Sequence, residues 1–208
     1  MASLEAKLEF DEAIREIHIL IDSAIENETI TSKYATFNKA AIVLLCGKFE
    51  SFLETFLEEY GYIHLTRSSN KTLPQAISNH IVDNIINRLE YYKNNKLKRA
   101  PFISELVMLC GDEEVSCSDF RIDSSFNYGK HGQKEVIRLL NCFGFEQFVN
   151  TVETTDFFSR FNSLNNIRNN ILHQDSTPSL THVDVNDFLN SISEFVLKID
   201  LEAQELLI

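Results

Sequence analysis

Only six glycines and three prolines punctuate the 208 residues of this chain. Both residues break helices and shape turns, Gly through its conformational freedom and Pro through its missing N–H. So few of them leave room for long uninterrupted helices. They also argue against an all-β architecture, which needs frequent turns. At this length one domain spanning 1–208 is expected, burying enough surface to fold without disulfides or a structural metal. The hydrophobic share of 44% is ordinary for a globular protein and too high for a disordered one.

Hydrophobic spacing predicts six or seven helices. Over residues 3–27, Leu4, Leu8, Ile14, Ile17, Ile21 and Ile25 recur at three-to-four spacing, which marks an amphipathic helix. Residues 33–62 form the most apolar candidate: Ala40 to Leu45 is apolar all round, after which Phe49, Phe52, Leu53, Phe56, Leu57 and Tyr60 settle onto one face. Pro74 suits the first turn of a third helix reaching Tyr92, and a shorter fourth covers 101–110. Residues 111–131, with Gly111, Asp112, Ser116, Ser118, Ser124, Ser125, Asn127 and Gly129, read as an irregular polar excursion. Loops of that length are usually functional or mobile. A helix over 133–143 stops near Gly144, and another runs over 155–173. The last begins at Thr181, which forms a T-x-x-D capping box with Asp184, and runs to 206. The short turn at 174–179 leaves these last two helices antiparallel.

Acidic residues outnumber basic ones 31 to 19, a net charge of −12. That balance disfavours non-specific nucleic-acid binding, which needs Lys and Arg, yet permits one local basic patch. The first residues lack a signal-peptide layout, and the longest strictly apolar run, Ala40 to Cys46, is far too short to span a membrane. Cys46, Cys110, Cys117 and Cys142 make no CxxC pair and read as thiols of a reducing compartment. A cytoplasmic protein is expected.

The 155–173 helix holds the oddity. Advancing about 100° per residue from Phe157, the residues Phe161, Leu164, Ile167 and Ile171 form a core stripe, and Arg168 falls in its middle at about 20°. Asn162, Asn165, Asn169 and His173 occupy the neighbouring arc. A guanidinium cannot shed its charge, so burying it without acceptors is costly. Either it meets an anion in a cleft or a carboxylate neutralises it. In the first case Arg168 holds a phosphate, His173 moves protons and Asn169 orients the imidazole or the substrate. In the second, Arg168 bridges a glutamate from another helix and His173 is an ordinary helix-end residue. Spacing alone favours the second, because an Arg and a His five apart are common.

Four other groups bear on this. Glu50, at the edge of the apolar face of the 33–62 helix, could neutralise Arg168 or hold His173, although a carboxylate there more often sits at the rim in water. Lys93, Lys96, Lys98 and Arg99 crowd a stretch without acids beside Tyr91 and Tyr92. They suit a phosphate backbone with bases stacked on the tyrosines, or equally the end of a helix whose dipole favours cations. Lys130, His131, Lys134 and Arg138 make a weaker second patch. Cys110, Cys117 and His131 match no zinc spacing, so no metal and no cofactor is expected. There is no P-loop, G-x-G-x-x-G, G-x-S-x-G or H-E-x-x-H either.

The string Arg168-Asn169-Asn170-Ile171-Leu172-His173 resembles the HEPN signature, an Arg, a polar residue and a His on the penultimate long helix. The stretch from Ala41 to Glu54 resembles the second helix of the RiboL-PSP-like branch, often associated with restriction and phage defence, and residues 126–148 are similar to the same branch. The resemblance implies an all-α, up-and-down bundle that forms homodimers, with two motifs facing one cleft. Active members cut RNA without metal: the 2′-hydroxyl attacks the neighbouring phosphate and leaves a 2′,3′-cyclic phosphate and a 5′-hydroxyl. Carried over, Arg168, Asn169 and His173 would be catalytic; Glu50 and Asn165, from their places on the two helices, are the candidates to support them. The expected protein is thus an endoribonuclease of single-stranded RNA, a toxin or anti-phage effector, with an antitoxin or restriction-system protein as partner. The alternative is a non-catalytic module that binds or dimerises. Some relatives carry a modifiable Tyr two residues after the His; here that position is Asp175, which counts against that form of control.

Overall fold

The longest apolar stretch becomes the longest helix. In a computed structural model, which describes residues 3–126, 132–174 and 179–208, α1 (Glu5–Glu26) is followed by α2 (Thr31–Arg67), α3 (Gln75–Tyr91) and α4 (Lys96–Cys110). After the polar excursion come α5 (Gln133–Cys142), the single turn α6 (Glu146–Val149), α7 (Val152–Gln174) and α8 (His182–Leu206). Among the described residues there is no strand, only an isolated bridge between Ser69 and Ser116. The protein is all-α.

α1, α2, α7 and α8 pack together as a bundle, while α3 supports α4 on one side and α5 on the other, and α5 leans on α7. Phenylalanines lock the centre. The Phe49 ring on α2 meets Phe157 and Phe161 of α7 and Phe195 of α8, at 5.8, 5.1 and 5.7 Å between centroids. Phe157 stacks on Phe195 at 4.0 Å. Each such ring, fully buried, contributes about 2–3 kcal/mol of hydrophobic stabilisation.

Several boundaries move for reasons found outside the local sequence. α1 has no capping side chain of its own. The Glu59 carboxylate accepts the N–H groups of Glu5 and Ala6 at 2.9 Å each, and the buried Asp200 accepts that of Leu4 at 2.9 Å. Its buried face is Phe10, Ile17, Ile21 and Ala24, so Leu8 and Ile25 point outward, contrary to the expected stripe. α7 starts at Val152 because Thr151 caps it, its hydroxyl accepting from the N–H of Thr154 at 3.3 Å. The Thr181 capping box on α8 forms as expected.

The excursion is irregular but anchored. Asn70 Nδ2 reaches the carbonyls of Met108, Leu109, Gly111 and Glu113, and the Asn70 side-chain oxygen accepts from the N–H of Val115 at 3.0 Å. His80 on α3 contacts the Asp123 carbonyl at 2.6 Å. At its described end, the N–H of Phe126 donates to Glu54 of α2 at 2.8 Å.

Candidate active site

Arg168 lies where α7 crosses α2. α2 brings Glu50 to it at 3.7 Å, one residue beyond the Phe49 ring that anchors the crossing. Both side chains are mostly buried, Arg168 at 21% exposure and Glu50 at 15%. Glu50 is therefore not a rim carboxylate in water, as its sequence position suggested; it supplies the negative charge that lets a guanidinium sit on an apolar stripe. The separation is too long for a hydrogen bond, and Arg168 Nε has no hydrogen-bond partner among the described residues. The guanidinium is thus neutralised without being saturated.

One turn back on α2, the buried Cys46 thiol is pushed up to about 12, chiefly by burial and then by the Glu50 charge, with Arg168 pulling the other way. It remains a neutral thiol and is no nucleophile. Nothing in the sequence pointed to Cys46 except its spacing of four from Glu50.

The core stripe of α7 opens toward its C-terminal end. Phe161 and Leu164 are buried, Ile167 and Ile171 half-buried, and Leu172 and His173 exposed. Asn169 is exposed one turn before His173, whereas Asn165 is buried beside Arg168. Because α7 stays helical through Gln174, Arg168 and His173 stand about 140° apart around the axis and about 7.5 Å along it. The two sides of the motif therefore leave one helix in different directions.

Other elements frame this end. Asn162 donates to Gln133 at the start of α5, so the chain on either side of residues 127–131 is tied to α2 and α7. The Tyr34 hydroxyl accepts the His182 backbone N–H at 2.9 Å and shares a hydrogen bond with His182 Nδ1 at 3.0 Å, while the buried Asn38 donates to the Leu180 carbonyl at 3.2 Å. These pin the start of α8 onto α2. Tyr34, Asn38, Glu54 and His182 had no recognisable motif, since their partners are 72 to 148 residues away.

The basic cluster lies elsewhere. Lys96, Lys98 and Arg99 open α4 rather than close α3, with Asn95 Oδ1 accepting the Lys98 N–H at 3.1 Å. For them the dipole account is corrected: these cations crowd the positive end of a helix, and only Lys93 follows a helix C-terminus. Tyr91 is 81% exposed. Tyr92 is not available for stacking, because it packs on Phe102 with Lys98 Nζ 5.3 Å from its ring. In the second patch Arg138 is engaged by buried Glu135 at 2.7 Å. Lys130 and His131 there, like Asp175 after the motif, lie outside the described residues. Among the described residues no cluster of His, Cys, Asp and Glu could hold a metal ion, and no helix is long and apolar enough to cross a membrane.

A helical bundle that carries an Arg–polar–His motif at the emerging end of its penultimate long helix is of the HEPN class. The family model of RiboL-PSP-HEPN matches residues 8–205, and the chain belongs to that family. No curated protein and no solved structure matches it.

Proposed function

We propose that this protein is a metal-independent endoribonuclease of single-stranded RNA, acting as a toxin or anti-phage effector. The observation that carries this reading is a guanidinium held half-buried beside Glu50, about one and a half turns short of an exposed imidazole at the open end of the α7 stripe. In the reaction the 2′-hydroxyl oxygen bonds to the adjacent phosphorus and the bond from phosphorus to the 5′-oxygen breaks. A base takes the 2′-proton, and an acid protonates the departing 5′-oxygen. Arg168 offsets the charge that builds on the phosphate, which is where fixed electrostatics are most effective. His173 exchanges protons near neutral pH. Asn169, four residues before it, orients the imidazole or the ribose.

One chain offers one such imidazole and sends it away from its own Arg168. A homodimer about a two-fold axis supplies the second imidazole and brings each Arg168 to the partner's side of the cleft. Exposed Leu172 beside His173 suits such a seam. Lys93, Lys96, Lys98 and Arg99 are proposed to hold the RNA backbone away from the cut bond, with Tyr91 as a stacking platform.

The rival reading, a non-catalytic binding or dimerisation module, draws support from the ion pair itself: Glu50 already occupies one side of Arg168. Incubation of purified protein with RNA in excess EDTA separates the two. The nuclease reading expects products ending in 2′,3′-cyclic phosphate and 5′-hydroxyl. Intact RNA, or cutting that chelation abolishes, overturns it.

A further inference from the structure

A helix on the surface of a bundle turns polar residues to water. α4 does so mainly in its first turn, with Lys96 and Lys98. Phe102, Leu106 and Leu109 face inward and join the core. The opposite arc holds Leu97, Ala100, Pro101, Ser104, Val107 and Met108, all exposed. Leu97 is 88% exposed and Val107 65%, and Ser104 is the only polar side chain in that arc. Past its first turn α4 is apolar on both its inner and its outer side, yet the outer side has nothing over it among the described residues.

The ends of this face differ in sign. Lys93, Lys96 and Lys98 are exposed at its start, and Asp112, Glu113 and Glu114 are exposed just past its end. Both ends are held in place, the first by the Asn95 cap and the second by Asn70 together with Lys71, whose Nζ donates to the Gly111 carbonyl at 2.7 Å. Along roughly 17 Å from Leu97 to Met108 the surface thus reads positive, aliphatic, negative. Such a row complements itself when turned end for end. Two antiparallel copies would set Lys96 and Lys98 of one against Asp112 and Glu113 of the other, aliphatic against aliphatic, with small Ala100 and Ser104 near the centre, where backbones approach most closely.

We propose that this face of α4 is a two-fold interface between two copies of this chain. RNA held on Lys93, Lys96, Lys98 and Arg99 would use the cations but not the aliphatic half. It competes with this interface for Lys96 and Lys98 without accounting for the rest of the face, and an anionic membrane would be repelled by residues 112–114. A copy of the chain satisfies all three parts. The surface is separate from the α7 end, since α4 rests on α3 while Arg168 lies between α2 and α7. A chain with both interfaces would assemble beyond a dimer, because each carries its own two-fold axis.

The test is sedimentation at micromolar concentration. Leu97→Glu with Val107→Glu should reduce the largest assembly to a dimer where the α7 seam also forms, or to a monomer where it does not, with helical content unchanged because both side chains are exposed. Lys96→Glu with Lys98→Glu, and separately Asp112→Lys with Glu113→Lys, should each weaken that association at least tenfold. An equimolar mixture of these two variants should restore it, because every end-to-end pair then has opposite signs. A wild-type mass unaffected by the aliphatic variant overturns the proposal, as does a mixture that fails to associate. Loss of binding to RNA or to anionic vesicles in the aliphatic variant, with its mass unchanged, would assign the face to another occupant and overturn it equally.

Discussion

From Phe157 to Leu164, α7 is sealed: its rings interlock with Phe49 and Phe195, and three of the four apolar side chains keep no more than 2% of their surface in water. From Ile167 to His173 the same three-to-four spacing continues, but the cover thins and a charged residue stands on the centre line. The first half is built for cohesion, because close-packed aromatic contacts are lost outright when one member is trimmed. The second half gives up that cohesion to keep a cation and an imidazole within reach of solvent. A helix can change its task halfway along without changing its periodicity.

The contrast breaks if the open half proves structural. His173→Ala should lower the rate of RNA cleavage by about 10²–10⁴-fold, the usual worth of a general acid or base, with the melting temperature unchanged. Activity that survives this substitution in a folded protein would remove the imidazole from the mechanism. The sealed half should answer in the opposite way. Phe161→Ala should cost about 3–5 kcal/mol of unfolding free energy through the cavity it leaves, measured by denaturant titration at constant slope. A loss below 1 kcal/mol would show that the aromatic cluster is not the keystone.

Glu50 sits on the border between the halves and sharpens the comparison. Glu50→Gln removes the charge that balances Arg168 but keeps its shape. Stability should fall by about 1–3 kcal/mol, since the guanidinium is left uncompensated in a mostly buried place. RNA affinity should rise at the same time, because Arg168 is then free for phosphate. Affinity that falls together with stability would mean Glu50 positions the site rather than shields it. The smallest effect belongs to Thr181→Ala, which removes the α8 cap and should cost about 1 kcal/mol. Its activity per folded molecule should stay at the wild-type level, which thermal melts paired with single-turnover cleavage would check.

How far the site could be read beforehand follows from where each partner lies. Arg168, Asn169 and His173 are within one and a half turns of one helix, so spacing set them side by side but favoured an ordinary ion pair, and the resemblance to the HEPN signature gave them catalytic roles. Glu50 was raised as a partner for Arg168 but weighed below a rim carboxylate in water, because nothing local says which helix will cross above it. The 93–99 cluster was seen as a group, but not which helix it belongs to. The fourth helix was expected over 101–110, whereas Asn95 caps a first turn that begins at Lys96.

The scarcity of helix breakers, the apolar spacing and the Thr181 box determined an all-α chain with a motif near the end of its penultimate long helix, since those signals act through neighbours within four residues. Only the tertiary structure decided which carboxylate meets Arg168, that Tyr34 and Asn38 hold the start of α8, and that the outer side of α4 has nothing over it among the described residues. Those facts depend on pairs up to 148 residues apart. Such pairs are selected by packing the whole bundle, a choice that no window of local sequence contains.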